Sequence, residues 1–223
     1  MEQPAIGTIA VIGGTGAEGS GFAWRWAAAG LDVVLGSRSA ERGAAKAAEI
    51  NARLGRPAVR GADNLAAAQM ADVIVLSVPY ESQAGILADI LPALPGKTLV
   101  TLVAPLLGEK KNRYTPPPGG AAALEAQAQA GPEVTVAAAF QNVAAHHLTD
   151  PEHAIDCDVL VCSDSRAARD IAIALAAAAG LRGIHAGVLQ NAAVVEGLTA
   201  LLIAINIAYK VRDAGIRITG IPA

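Results

Sequence analysis

Short apolar runs without polar alternation recur along the first hundred positions of this chain. TIAVIGG (8–14), DVVLGSR (32–38), ADVIVLSVP (71–79) and KTLVTLV (97–103) each read as a strand. A strand with one wet face would alternate, so these predict strands covered on both sides. Between them lie helical stretches: 17–29, ended by Gly30, then 40–54, charged and Ala-rich, 64–70 and 81–91. A weaker strand is read at 58–61. This alternation predicts a parallel sheet with helices on both faces.

From 104 to 120 the pattern breaks. APLLGEKKNRYTPPPGG is basic in its middle and closed by prolines and glycines. It reads as a loop, and long loops in compact domains are often functional. Strand-like segments resume at 134–139 and 158–161, followed by a helix at 165–179 and a short strand at 183–185. The apolar run 192–212 predicts a long helix. Its apolar face exceeds what one sheet needs, so it is expected to pack on a second copy of the chain. No internal repeat is present.

Composition narrows the class. The chain is 53% hydrophobic with 3% aromatics and a mean hydropathy of +0.40, which describes a folded globular protein. Its net charge of −3 and the lack of a basic stripe argue against nucleic acid as a partner. Cys157 and Cys162 lack C-x-x-C spacing and are expected to be reduced, buried thiols. No basic leader opens the sequence, so no secretory signal is expected. GLTALLIAINIAY, at 197–209, is shorter than the roughly 20 residues that span a bilayer. The expectation is a soluble, cytoplasmic protein without a membrane partner.

The strongest chemical signal is IGGTGAEGSG. Gly14, Gly16 and Gly19 satisfy G-x-G-x-x-G directly after a strand and at the start of a helix, the context a dinucleotide turn requires. Gly13, Gly16 and Gly19 satisfy a G-x-x-G-x-x-G variant equally well, so two registers stand open. Glycines let the backbone approach a pyrophosphate, and the helix N-terminus supplies N–H groups to it. Glu18 is out of character, since its carboxylate would repel a pyrophosphate unless it pointed away. At the end of the second strand stand Gly36, Ser37 and Arg38, with Arg42 one turn further on. A ribose 2′-hydroxyl usually meets a carboxylate at this place, whereas a hydroxyl and a guanidinium suit a 2′-phosphate. NADP is therefore expected over NAD, with Arg42 either a phosphate ligand or a solvated face residue. Ser77, Val78 and Pro79 end the next strand where a cofactor crosses the sheet edge. The fold expected is α/β: a Rossmann-type doubly wound, mainly parallel sheet with a small helical C-terminal extension. Residues 1–186 would form the NADP domain and 187–223 the acceptor pocket and dimer contact.

IAVIGGTGAEGSG, VVLGSRSAER, ADVIVLSVPYES, APL and VVEGLTALLIAIN, in this order and spacing, resemble the F420:NADP oxidoreductase family along nearly the whole chain. The resemblance implies a homodimer in which a deazaflavin, coenzyme F420, sits against the nicotinamide of NADP. The family's pyrophosphate turn falls on Thr15, Gly16, Ala17 and Glu18, and its 2′-phosphate pocket on Ser37, Arg38 and Arg42. Its wall segments fall on Ser77 to Pro79 and on Ala104, Pro105 and Leu106. Its deazaflavin side falls on the region of Phe140 to Ala145, with Phe140, Asn142 and Ala144 as its contacts, and on the start of the last helix near Val194 and Leu198. Archaeal members carry a His-Thr-Ile-Pro type segment where this chain has Phe140, Gln141, Asn142 and Val143.

Hydride transfer between rings asks for proximity and exclusion of water, not for a nucleophile. No catalytic side chain and no metal site is assigned. His146 and His147, as chain neighbours, are expected to diverge and to serve a surface or capping role. His153 and His185 have no sequence context. Asn142 is read either as a donor to a ring carbonyl or as a helix cap. Three functions stay open: an NADP:F420 oxidoreductase, an NADPH-dependent reductase of a conventional flavin such as FMN or of another acceptor, and a non-catalytic NADP(H) sensor.

Overall fold

The alternation of strands and helices carries straight into the tertiary structure. The computed structural model describes residues 5–108, 110–150 and 153–221. In it β1 (Ile9–Ile12) leads to α1 (Ala17–Ala28), β2 (Val33–Ser37) to α2 (Ala40–Leu54), and β3 (Val59–Asp63) to α3 (Asn64–Gln69). β4 (Val73–Leu76) then leads to α4 (Tyr80–Ile90), and β5 (Thr98–Thr101) passes through a loop to α5 (Ala122–Ala130) and β6 (Thr135–Ala138). The six strands pair in parallel in the order β3-β2-β1-β4-β5-β6. The chain steps outward from β1 to β3 and then returns to place β4 beside β1. That reversal opens a crevice at the carboxyl ends of β1 and β4.

The absence of alternation in the strands has a direct cause. Ile9 and Val11 join Phe22, Trp26, Val33, Leu35 and Val75 in a core on one face of the sheet. Ala10 and Ile12 join Val34, Ile74, Leu76 and Leu99 in a core on the other. Each strand thus feeds two apolar layers, and each buried Leu or Ile side chain contributes about 1.5–3 kcal/mol.

A second, two-stranded parallel sheet is made by β7 (Asp158–Val161) and β8 (Arg182–His185), connected through α6 (Arg166–Ala178). It joins the first sheet through an antiparallel bridge between Ala138 and Cys162. Asp158 is fully buried and receives a two-pronged bond from Arg182 at 2.9 and 2.7 Å. The Arg182 guanidinium holds the Asp158 carboxyl below the usual carboxylate range. The same pair binds the C-terminal segment: Ile218 N–H donates to Asp158, and Arg182 donates to the Ile218 carbonyl. Both cysteines are free and buried, as expected.

Arg25 of α1 is the main tie between the layers. It is 4% exposed, and its guanidinium donates to the carbonyls of Ala179, His147 and His153 at 3.0, 3.0 and 2.8 Å, and to that of Asp150. One side chain thereby fixes the end of α6 and the segment leading into β7. Beside it, Trp26 Nε1–H donates to the Leu175 carbonyl.

Two elements differ from the sequence reading. α5 was not expected, because its Ala-rich sequence has no capping residue; its N-cap, Ala121, makes no side-chain bond. The cap comes from elsewhere in the chain. Glu196 of α7 (Ala192–Tyr209) accepts from the N–H groups of Ala122 and Ala123 at 2.7 and 2.9 Å. The helical span Leu189–Tyr209 is also longer than the 13-residue apolar count. At 21 residues and a mean hydropathy of 1.8 it is long and apolar enough to cross a membrane by length and composition alone. Glu196 is nevertheless buried at 2% exposure and bonded to α5, which docks one side of α7 into the fold. The other side leaves Val194, Leu201, Ile207 and Tyr209 more than half exposed.

Candidate functional site

The glycine turn stands at the crevice between β1 and β4, and its geometry chooses between the two registers. Gly13 has φ +76, and a side chain there would meet the Ser77 carbonyl at 2.4 Å. It makes the tight turn, which only glycine adopts without strain. Gly16 caps α1, and a Cβ there would touch only the Gly13 carbonyl, at 3.5 Å, so its outer face is open. Gly19 lies 3.0 Å from Gly14 Cα through its would-be Cβ, which brings α1 close to the turn. Turn, approach and close packing thus fall on Gly13, Gly16 and Gly19. Gly14 is required for a different reason, contact with Leu35, and its N–H donates to the Gly36 carbonyl at the end of β2. The N–H groups of the first turn of α1, from Ala17 on, have no partner within the helix and face this opening.

Glu18 does not turn away. It is half-buried, and the Ser77 hydroxyl donates to its Oε2 at 3.2 Å. Burial pushes its carboxyl up to about 7 against the pull of that hydrogen bond. A group poised there can be neutral or charged near physiological pH.

Beyond β2, Ser37 is buried and Arg38 exposed. They border a cleft of about 420 Å³ with Asp63, Asn64, Leu65, Ile86 and Asp89 among its walls. Asp63 is occupied, since its side chain caps α3 by accepting from the Ala66 N–H. Arg38 has no ion-pair or hydrogen-bond partner among the described residues. Arg42 lies exposed on the first turn of α2 and does not line this cleft. Pro79 begins α4 as its N-cap and is more than a strand terminator. Ala104, Pro105 and Leu106 follow β5 at the same sheet edge, with Pro105 buried.

The segment after β6 departs most from its sequence reading. Phe140 does not face a second ring. It is 1% exposed and packs edge-on against Phe22 at 4.7 Å and Trp26 at 6.0 Å in the core. Its φ of +76 costs about 1–2 kcal/mol for a non-glycine residue, offset by the aromatic cluster. That sharp reversal sends Gln141 and Asn142 toward α7. Asn142 Nδ2–H donates to the Val195 carbonyl and to Thr199 Oγ1, at 3.1 and 3.2 Å, and the Thr199 hydroxyl donates to the Gln141 carbonyl. Gln141 Nε2–H donates to the Thr101 carbonyl at the end of β5. The donor of Asn142 is therefore spent within the protein. The carbonyl oxygens of both amides, Gln141 Oε1 and Asn142 Oδ1, are buried without a partner among the described residues. Buried acceptors of this kind are rare, and each calls for a donor.

Gln141 and Asn142 border a cleft of about 270 Å³ whose far wall is Thr199, Leu202, Ile203 and Asn206 of α7, with Arg212 beyond. Ala144 lines it too. Of these residues Thr199 and Arg212 went unassigned in the sequence; the one available signal was polar residues placed in an apolar neighbourhood.

The histidines also differ from expectation. The rings of His146 and His147 lie 4.2 Å apart, not diverging, and His147 stacks on His153 at 4.6 Å. Burial and the neighbouring histidines and Arg25 hold the His147 imidazole below its usual pKa, against the pull of Asp213. Among the described residues no group of His, Cys, Asp and Glu is arranged to hold a metal ion.

Comparison with known proteins adds the following. Residues 8–105 match the family described as NADP oxidoreductase, coenzyme F420-dependent. The F420-dependent NADP reductase of Methanothermobacter thermautotrophicus is 43% identical over 229 aligned positions, spanning 100% of this chain and 99% of that protein. The protein of the same name from Methanocaldococcus jannaschii is 39% identical over 96% of this chain and 98% of its own. A solved structure from Arthrobacter, described as a candidate F420-dependent NADP-reductase, superposes with a TM-score of 0.80 at 23% identity, covering 97% and 100% of the two chains. Pyrroline carboxylate reductase of Plasmodium falciparum, solved with NADP bound, superposes with a TM-score of 0.54 at 17% identity. At these identities the two solved structures speak to fold alone.

Proposed function

The chain belongs to the F420-dependent NADP reductase family, and from that premise we propose that it transfers a hydride between NADP(H) and the deazaflavin coenzyme F420. The observation that carries this reading is two sites along the carboxyl edge of one parallel sheet, at the ends of β1 and β6. One is the glycine turn with its open approach at Gly16; the other is the cleft between Gln141–Asn142 and α7. The glycine turn fits a dinucleotide because Gly16 carries no Cβ and its outer face is open. NADP(H) supplies the hydride chemistry at its nicotinamide.

The protein's own part is to bind, orient and exclude water. The turn Thr15 to Glu18 would hold the pyrophosphate through backbone N–H groups at the start of α1, with the Glu18 carboxylate opposing it when charged, and Ser37 and Arg38, with Arg42 near, the 2′-phosphate. Ser77, Val78 and Pro79 with Ala104, Pro105 and Leu106 would wall the nicotinamide. Gln141 and Asn142 would accept from a ring N–H or a carboxamide, while Phe140 positions them from the core. Ala144, with Thr199 and Leu202 of α7, would complete the acceptor side; Val194 and Leu198, expected there from the resemblance, do not line the cleft. We assign residues 1–186 to the NADP domain and 187–223 to the acceptor side. The uncovered face of α7, Val194, Leu201, Ile207 and Tyr209, suits a homodimer contact, and the protein is read as soluble and cytoplasmic.

Purified protein, with a light-scattering mass of twice the 22.4 kDa chain, should consume NADPH and coenzyme F420 in equal amounts, read by their separate absorbance bands. Turnover of FMN but not of the deazaflavin would replace this reading with a conventional flavin reductase. NADPH binding without turnover of either would leave a sensor.

Glu18 makes NADP(H) binding pH-dependent in this scheme. Its carboxyl is neutral below about 7 and charged above, and a bound pyrophosphate raises it further. Cofactor binding then takes up a proton, and affinity falls as pH rises through 7. Glu18→Gln removes the charge. At about pH 8.5 it should tighten NADPH about tenfold, for roughly 1.4 kcal/mol of relieved repulsion. Parallel pH profiles of KM for NADPH in the two proteins would sink the idea.

A further inference from the structure

Reduction of a deazaflavin by NADPH does not balance with a hydride alone. The hydride leaves the nicotinamide with its electron pair and bonds to a carbon of the acceptor ring. The pair displaced there runs to a ring nitrogen, which takes a proton from a donor beside it. The backbone turn at Gly16 is not that donor. Nor are the free atoms of Gln141 and Asn142, which are carbonyl oxygens and can only accept.

A cluster of imidazoles lies against the same cleft. His146, exposed, is one of the residues that border it. Beside the cleft is a cavity of about 240 Å³ whose walls include His147, His153, Asp156, Cys157 and Asp213. The two spaces share Asn142, Ala144 and Ala214, so the amide proposed to meet the ring belongs to both. The imidazoles stand in series: ring centres lie 4.2 Å apart from His146 to His147 and 4.6 Å from His147 to His153. His147 Nε2 is 3.7 Å from Asp213 Oδ2, and the Asp213 side chain is half-exposed. The backbone beneath them is fixed, because Arg25 donates to the carbonyls of His147, Asp150 and His153, and the Thr149 hydroxyl donates to that of His146. Burial and its neighbours hold His147 below its usual pKa, so it passes a proton on and does not keep it. The Cys157 thiol stands outside the series: burial pushes it up, and it donates to the Asn142 and Asp158 carbonyls.

We infer that His146 gives the acceptor ring the proton that accompanies the hydride, and that His147 and Asp213 connect His146 to solvent. The inference rests on the reading that the acceptor ring lies against Gln141 and Asn142. In the step the imidazolium N–H bond of His146 breaks and the ring N–H bond forms. A ring seated in the cleft covers the exposed side of His146, which leaves the adjoining cavity as the route by which the neutral imidazole regains a solvent proton. Oxidation of the reduced acceptor runs the same transfers backwards. Among the described residues, the charged and titratable groups around His146 and His147 are Arg212 in the cleft, His153, Asp156, Cys157 and Asp213 in the cavity, and Arg25 behind the segment. His146 donates only when protonated, so kcat for reduction of the acceptor falls as pH rises, and kcat for its oxidation rises.

His146→Ala should lower kcat for reduction of coenzyme F420 by NADPH about a hundredfold, the low end for a general acid because water reaches the cleft. KM for both substrates should stay within about twofold, since the contact matters in the transition state. The fall of kcat with rising pH should disappear, and added imidazole should restore much of the rate. A side chain that only shapes the cleft would answer to neither. An unchanged kcat, or a loss with the pH profile kept and no rescue, would overturn the relay and leave the hydride-transfer reading intact. NMR titration of the four imidazoles gives a readout without turnover. Coenzyme F420 added to protein loaded with NADP+ should move the titration midpoint of His146 and leave that of His185, at the end of β8, in place. His147→Gln should move the His146 midpoint in the ligand-free protein. A midpoint that moves on adding coenzyme F420 without turnover of NADPH would uphold the placement of His146 and defeat the reductase reading. A fixed midpoint with normal turnover would overturn the relay alone, and a fixed midpoint without turnover would defeat both.

Discussion

Arg38→Ala should weaken NADPH binding by about ten- to a hundredfold and leave NADH within about threefold. The guanidinium stands at the end of β2 with no partner among the described residues, beside a buried Ser37 and above a cleft of nucleotide size. The carboxylate that borders the same cleft, Asp63, is already engaged in capping α3. A charge-assisted bond to a phosphate contributes about 1.5–3 kcal/mol, which sets the size of the loss. NADH has no 2′-phosphate to lose, so the ratio of the two KM values isolates the contact. Arg38→Lys should recover part of the NADPH affinity, because a point charge lacks the two-pronged geometry. An equal loss for both cofactors would show that Arg38 supports the fold of the turn and does not read the phosphate. Arg42→Ala, off the cleft, should cost less.

Arg25→Ala should lower stability by about 3–5 kcal/mol, the range for breaking a buried, hydrogen-bonded charge network. The side chain gathers carbonyls from α6 and from the segment 147–153, and each is left without its donor when the guanidinium is removed. For a chain of this length such a loss corresponds to a fall in Tm of roughly 6–20 °C. Burial pulls the Arg25 pKa down, and the nearby Asp150 charge opposes that pull, so the head stays cationic. Arg25→Lys restores the charge but reaches fewer carbonyls and should recover only part of the loss. A Tm change below about 3 °C in Arg25→Ala would mean that the segment 147–153 is held by something else. Because His147 and Asn142 border the same cavity, the acceptor side should loosen before the NADP turn does.

The sheet was legible because its strands must feed two apolar layers at once, and continuous Val, Ile, Leu and Ala runs report that directly. The glycine turn was legible for a similar reason: at Gly13 a φ of +76 and the Ser77 carbonyl, 2.4 Å from a would-be Cβ, together call for glycine. Even the choice of NADP showed in the local order Gly36-Ser37-Arg38. The acceptor side was far less legible. Phe140, quoted as a ring contact, turned into the core, because Phe22 and Trp26 of a distant helix offered it an aromatic cluster. Asn142, read as a donor to a ring carbonyl or as a helix cap, gives its N–H instead to the Val195 carbonyl, 53 positions away in sequence. His146 and His147, expected to diverge, and His153, without sequence context, were gathered where the carbonyls of Arg25's loop converge.

What the sequence determined alone is everything that depends on the period of apolar residues and on local backbone freedom: the strands, the glycine turn and the cationic end of β2. What only the tertiary structure decided is everything that depends on which distant group arrives to satisfy a polar atom. α5 shows the difference most plainly. Its own residues hold no cap, and its first N–H groups are satisfied by Glu196, whose carboxyl burial pushes up to about 7. A helix end needs a partner but does not encode where in the chain that partner lies, so no reading of 122–130 by itself could have supplied it.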